Sequence, residues 1–148
     1  MAFEFGVTRA PRPVRRVTAQ ATALGVEWVV DASGCDASRL RDRAGIERFL
    51  DLLMTSLRLT AAAPRVVHVF PGEGGVTAMV LLTESHLTVH TFPEHGALTM
   101  NLYCCKARPR FDWTNALGEH FGARAVDVRE LAREAPASER GEHGGPKP

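Results

Sequence analysis

Two hydrophobic periods alternate along the chain, and the switches between them outline an α+β domain. Val26 to Val30 is a short apolar-rich run of strand character, and the polar segment Asp31–Asp36 after it predicts a turn with capping side chains. Ile46, Phe49, Leu50, Leu53 and Leu57 then recur at i, i+3, i+4, i+7 and i+11, the apolar stripe of a helix over about Ser38 to Leu59. Pro64 blocks its continuation. Arg65–Phe70, Val76–Thr83, His86–Thr91 and Ala97–Cys105 have strand character and are broken by Pro71-Gly72-Glu73-Gly74-Gly75 and by Pro93-Glu94-His95-Gly96. Connections this short favour antiparallel neighbours. Asp112 can cap a second helix ending at Phe121, with Gly122 past its end, and Ala125–Val128 can return as an edge strand. The expectation is an α+β fold: an antiparallel sheet with two helices packed on one face, within residues 23–134.

The flanks differ in kind. Residues 1–22 carry Arg9, Arg12, Arg15 and Arg16 around Pro11 and Pro13 with no amphipathic period, which predicts a flexible, solvated basic arm. Residues 135–148 contain Pro136, Gly141, Gly144, Gly145, Pro146 and Pro148 and are expected to be disordered.

Composition adds limits. The 148 residues suit one domain, and 45% hydrophobic with 24% charged residues is globular composition. A net charge of +1 supplies no field directing the chain to nucleic acid or anionic lipid. Three cysteines form no disulfide framework, so a reducing, cytoplasmic setting is expected. No apolar run approaches the roughly 18–20 residues of a membrane span, and no signal peptide is legible.

Chemistry crowds into Glu84–Cys105. A metal site is disfavoured by geometry: on a strand, His86 and His90 share a face but stand roughly 13 Å apart, whereas zinc ligands lie about 2.0–2.3 Å from one ion. Cys104 and Cys105 are adjacent and point to opposite faces. A serine hydrolase is equally weak, because no Gly-x-Ser-x-Gly elbow surrounds Ser85. Taken singly, Ser85, His90 and Cys105 are unremarkable as an exposed hydroxyl, a structural histidine and a buried filler.

Their joint spacing is specific. The run Glu84-Ser85-His86-Leu87-Thr88-Val89-His90-Thr91-Phe92-Pro93-Glu94-His95-Gly96 resembles the self-processing segment of bacterial S-adenosylmethionine decarboxylase proenzymes. That family has Glu-Ser-His, a second His five residues after the Ser, an aromatic-Pro-Glu-x-Gly turn and a Cys twenty residues after the Ser, here Cys105. Gly75-Val76-Thr77 stands where the family has Gly-Val-Ser/Thr.

The resemblance implies self-cleavage between Glu84 and Ser85, giving a β chain 1–84 and an α chain 85–148. Ser85 would become a pyruvoyl group, the only cofactor, which forms a Schiff base with the substrate amine and does the work of pyridoxal phosphate. His90 would be the proton acceptor in processing, Thr77 its support, and Cys105 the proton donor in decarboxylation; no metal is implied. Glu94 would bind the ribose hydroxyls, and Phe92 and Phe70 would stack on adenine. Cys104 points away from Cys105 and Cys35 is structural. The family also implies a homodimer of processed protomers, with sheets packed face to face and active sites at the interface. Thr88, His90 and Phe92 would line the uncovered sheet face.

The chain departs from the pattern at four places. Pro71 occupies a position where Phe is frequent, Phe92 one where Trp is frequent, Asn101 replaces a common acidic residue, and Lys106 follows the Cys where Gly is usual. Two alternatives stay open on that ground: a pyruvoyl-dependent decarboxylase of a basic amino acid such as arginine or ornithine, and a non-catalytic paralogue binding a nucleoside or a partner subunit.

Overall fold

A computed structural model describes residues 23–135. The basic arm and the tail beyond Ala135 lie outside these residues. Six strands form one antiparallel sheet: β1 (Ala23–Ser33), β2 (Val66–Val69), β3 (Val76–Leu82), β4 (Ser85–Phe92), β5 (Ala97–Cys104) and β6 (Ala125–Glu134), in the order β2-β3-β4-β5-β1-β6. The helices are α1 (Ala37–Arg41), α2 (Arg43–Ser56) and α3 (Trp113–Phe121). Among the described residues no helix is long and apolar enough to cross a membrane.

Alternation decides which face is covered. Along β3, Val76, Ala78, Val80 and Leu82 are buried while Thr77, Met79 and Leu81 are not; along β4 the buried set is Leu87, Val89 and Thr91. The buried faces meet Ile46, Phe49, Leu50 and Leu53 of α2 and Leu117 and Phe121 of α3, all at most 1% exposed. The opposite face carries no helix among the described residues and leaves Val66, Met79 and Leu81 more than half exposed. The expected layering is therefore the observed one.

Several boundaries differ from the sequence expectation, beginning with β1, which starts at Ala23 and not at Val26. The helix expected over Ser38–Leu59 is two helices, because Asp42 adopts φ −74°, ψ 90° and starts α2 afresh. Its side chain pairs with Arg48 instead of capping. Asp36 does cap α1, accepting from the Ser38 N–H at 2.8 Å. The segment expected as a turn from Asp31 is strand to Ser33, since Asp31, Ala32 and Ser33 pair with both β5 and β6. For the same reason β6 runs past Val128 to Glu134, an edge strand whose polar outer positions hide it from a periodicity reading.

One buried hydroxyl joins α1 to the sheet. Thr91, 5% exposed, accepts from the Val76 N–H at 2.8 Å and donates to the Leu40 carbonyl at 2.8 Å. Gly75 makes the approach possible, because a Cβ there would sit 2.7 Å from the Thr91 carbonyl oxygen. Thr91→Val keeps the side-chain shape and orphans both partners. It is expected to lower unfolding free energy by about 1–3 kcal/mol, read as a lower urea midpoint at unchanged m-value.

Candidate active site

β3 and β4 are joined by a two-residue turn, Thr83-Glu84, so the Glu84–Ser85 peptide bond lies at the mouth of a tight hairpin. Such hairpins favour turns with positive φ, yet neither Thr83 nor Glu84 has one. The turn is held from outside instead. Thr83 N–H donates to the Thr60 carbonyl and Ala62 N–H to the Leu81 carbonyl, both at 2.9 Å, and Cys105 N–H reaches the Glu84 carbonyl at 3.4 Å. The Glu84 carboxylate is paired with Lys106 and lies 3.5 Å from Arg108.

Ser85 is the first residue of β4 and faces the helix side, opposite Cys104. Its Oγ is buried and has no hydrogen-bond partner among the described residues. Leaving a buried hydroxyl unpaired costs about 1–3 kcal/mol, so this atom is placed for something other than stability. It is three bonds from the nitrogen of the Glu84–Ser85 peptide bond, and the carbonyl of that bond is the one Cys105 N–H contacts.

Cys104 is fully buried on the helix side, as expected from alternation. Cys105 lies just past the end of β5, not within a strand as expected, and is exposed. Gly25 positions the crossing: with φ +147°, it brings β1 so near that a Cβ would lie 2.3 Å from the Cys104 carbonyl oxygen. The neighbouring Cys105 thiol raises the pKa of Tyr103, and partial desolvation adds to the shift. Tyr103 Oη also donates to the Leu24 carbonyl at 2.9 Å. Cys35 is buried between β1 and α1, and burial pushes its thiol up.

The second group of candidate residues lies at the other end of β4. Thr77 and His90 are register partners on the open face, with Thr77 Oγ1 and His90 Nδ1 2.8 Å apart. Next to them, Phe70 N–H donates to the Gly75 carbonyl at 2.8 Å, and His68 packs edge-on to Phe70 with ring centroids 4.6 Å apart. Thr88, His90 and Phe92 all occupy the open face, as expected. Glu94 follows in the single 3₁₀ turn Pro93–His95, 3.8 Å from His95.

The structure therefore splits the candidate set. Glu84, Ser85 and Cys105 are at one end of the sheet; Thr77, His90, Phe70, Phe92 and Glu94 are at the other. Ser85 and His90 are five residues apart on one strand, which separates them by roughly 16 Å and turns them to opposite faces. Between the groups runs a polar row that spacing did not single out: His86 Nε2 donates to Asn101 Oδ1 at 3.1 Å, and Asn101 Nδ2 to Glu27 Oε1 at 2.7 Å. Hydrogen bonds from Asn101 and Arg133 hold the Glu27 carboxyl below its usual range. Arg108 was also invisible in the sequence, since only the loop after β5 turns it onto Glu84.

Comparison with known proteins gives a consistent result. Residues 26–134 match the family model described as S-adenosylmethionine decarboxylase. The chain is 35% identical over 114 residues to the S-adenosylmethionine decarboxylase proenzyme 2 of Halalkalibacterium halodurans, covering 74% of this chain and 86% of that one. It is 34% identical over 113 residues to the S-adenosylmethionine decarboxylase proenzyme of Geobacillus kaustophilus, covering 74% and 87%. Among solved structures it is similar to the adenosylmethionine decarboxylase of Aquifex aeolicus, with a TM-score of 0.64 at 26% identity over 80% of this chain and 98% of that one.

Tyr103 is the chain's single tyrosine, so its phenolate reports on Cys105 without interference from a second phenol. Ultraviolet titration of the intact protein is expected to place Tyr103 above its ordinary value. In Cys105→Ala the phenol should titrate at lower pH, because the thiol that favours the protonated phenol is gone. An unchanged titration would separate Cys105 from the Tyr103 surface.

Proposed function

The chain belongs to the S-adenosylmethionine decarboxylase family, and on that footing we propose that it cuts itself between Glu84 and Ser85 and decarboxylates S-adenosylmethionine. The observation that carries the reading is the buried, unpartnered Ser85 hydroxyl beside a carbonyl already hydrogen-bonded by a backbone N–H. This is the arrangement an intrachain nucleophile needs: attack without prior loss of a hydrogen bond, at a carbonyl polarised by a fixed donor.

In the first step Ser85 Oγ attacks the Glu84 carbonyl carbon, the C–N bond breaks, and the nitrogen leaves as the Ser85 amine, giving an ester. In the second, a base removes the Ser85 α-proton, the Cβ–Oγ bond breaks, and its electron pair departs on the Glu84 carboxylate. The dehydroalanine left behind takes up water and loses ammonia to become a pyruvoyl cap. That ketone, conjugated with the adjoining amide carbonyl, supplies an electron sink for the pair left by departing CO₂.

The base is His90. The 2.8 Å contact between its Nδ1 and Thr77 Oγ1 orients the ring, and in the tautomer that donates Nδ1–H to Thr77 the Nε2 lone pair is free to take the proton. Within one protomer the histidine stands too far from Ser85, so the site is completed by a second copy packed open face to open face. Three features support that pairing: the exposed apolar positions Val66, Met79 and Leu81, the lack of any helix on that face among the described residues, and the stereochemistry of Ser85. Its Cβ points to the helices, so its Cα–H bond leans toward the open face. Cys105, exposed just past the end of β5, delivers the proton that replaces CO₂. Phe70 and Phe92, both exposed, offer ring faces for adenine, and Glu94 offers a carboxylate for the ribose hydroxyls. The product is an aminopropyl donor of the kind used in spermidine synthesis.

Intact mass of purified protein is expected to show chains 1–84 and 85–148, the second lacking a free amine at its N-terminus and reacting with hydrazine. Ser85→Ala should stay whole, and Cys105→Ala should bind substrate with most turnover lost. A single uncut chain in folded wild-type protein would remove the reading, and CO₂ release from arginine or ornithine instead of S-adenosylmethionine would replace the substrate. Co-expressing Ser85→Ala with His90→Ala tests the shared site. In mixed dimers the His90→Ala chain should be cut, because its partner supplies His90, whereas the Ser85→Ala chain stays whole. Cleavage of neither chain would confine each site to one protomer.

A further inference from the structure

The loop after β5 places two cations on one carboxylate. Lys106 Nζ pairs with Glu84 Oε1, and Arg108 Nη2 lies 3.5 Å from Oε2. Arg108 is the more enclosed, its side chain 13% exposed against 68% for Lys106. Its Nη1 donates to the Arg58 carbonyl at 2.9 Å, which fixes the guanidinium, and its Nε is buried without a partner among the described residues. Among the described residues Glu84 is the sole acid paired with either cation, so the cluster carries an excess positive charge while the chain is whole.

We propose that Lys106 and Arg108 form a clamp for the carboxylate created at Glu84 when the backbone breaks, and that they accelerate the elimination step by stabilising that leaving group. The proposal rests on the self-cleavage reading above. Elimination breaks the Cβ–Oγ bond of Ser85 and places the electron pair on the main-chain carboxylate of Glu84. The same residue then holds two negative charges, and two cations stand ready for them. The charge count closes only after cleavage. A guanidinium already anchored through Nη1, with a spare N–H and little solvent, need not reorganise as charge develops, which is the condition under which a fixed cation lowers a barrier. Lys106, being exposed and hydrated, contributes less.

This role differs from holding the hairpin together, because the two predict different arrested species. A clamp acts on the ester and leaves the first acyl shift intact. Hydroxylamine distinguishes them: it converts the ester to a Glu84 hydroxamate and frees an α chain beginning with unmodified Ser85, whereas the uncut amide does not react. Wild type, Arg108→Gln, Arg108→Lys and Lys106→Ala would be followed by intact mass after synthesis, with hydroxylamine quenches, and His90→Ala as the control that stalls at the ester. The hydroxylamine-sensitive species is expected to persist about tenfold longer or more in Arg108→Gln, less in Lys106→Ala, and to decay near the wild-type rate in Arg108→Lys.

Wild-type decay of the ester in Arg108→Gln would overturn the clamp, as would arrest of that variant as the uncut amide in protein that still melts cooperatively. If Arg108→Gln does not fold, Lys106→Ala decides: a persistent ester upholds the clamp and an unchanged decay rejects it. A wild-type chain that never cleaves would instead reject self-processing, a result visible before any variant is compared.

Discussion

Successive side chains of a strand point to opposite faces and rise about 3.3 Å per residue, and in β4 this constraint governs everything else. The eight residues Ser85–Phe92 cannot bring their first and sixth members together. The strand puts Ser85 on the helix side, where its hydroxyl is buried with no partner among the described residues, and His90 on the bare face, where Thr77 holds it. On the self-cleavage reading proposed above, a nucleophile and a base that cannot meet within a chain need another surface to close the gap. The uncovered sheet face is the surface we propose for it.

The two faces thus divide the work. The helix face is packed by Ile46, Phe49, Leu50, Leu53, Leu117 and Phe121 against alternate positions of the central strands, and it supplies the stability. The open face is built from polar pairs in register: Thr77 with His90, and His86 with Asn101 and then Glu27. Thr91 is the one polar residue buried as a whole among the described residues, and it spans from β4 to the Leu40 carbonyl and the Val76 amide, tying α1 to the strand that carries His90. The face that carries the candidate residues is therefore tied down from behind.

Much of this was legible in the sequence because period-2 and period-3.6 signals are strong where one face is buried. The stripe from Ile46 to Leu57, the four central strands and the opposite orientations of Cys104 and Cys105 follow from spacing alone. The chemistry-bearing residues were legible only as a set, through the distances in sequence between Glu84, Ser85, His90, Glu94 and Cys105 and the Thr77 that precedes them. What was hidden depends on backbone dihedrals and loop paths. Nothing in an unbroken apolar stripe announces that Asp42 leaves the helical region, and no pattern marks the length of β6, whose outward positions are polar. Lys106 was visible as an oddity, but that Arg108 folds back onto Glu84 is a property of the loop.

The sheet order has a consequence for what a break after Glu84 would leave. β3 belongs to the front fragment and lies between β2 of the same piece and β4 of the other; β1, also of the front fragment, lies between β5 and β6 of the rear one. The two pieces are interleaved like shuffled cards, with hydrogen-bonded seams at β3–β4, β5–β1 and β1–β6. A nicked molecule would keep its shape without any covalent link. Once unfolded, though, its halves would drift apart, and recovery would become a second-order encounter that slows on dilution, so that the folded state is set kinetically by the order of events: fold first, sever afterwards.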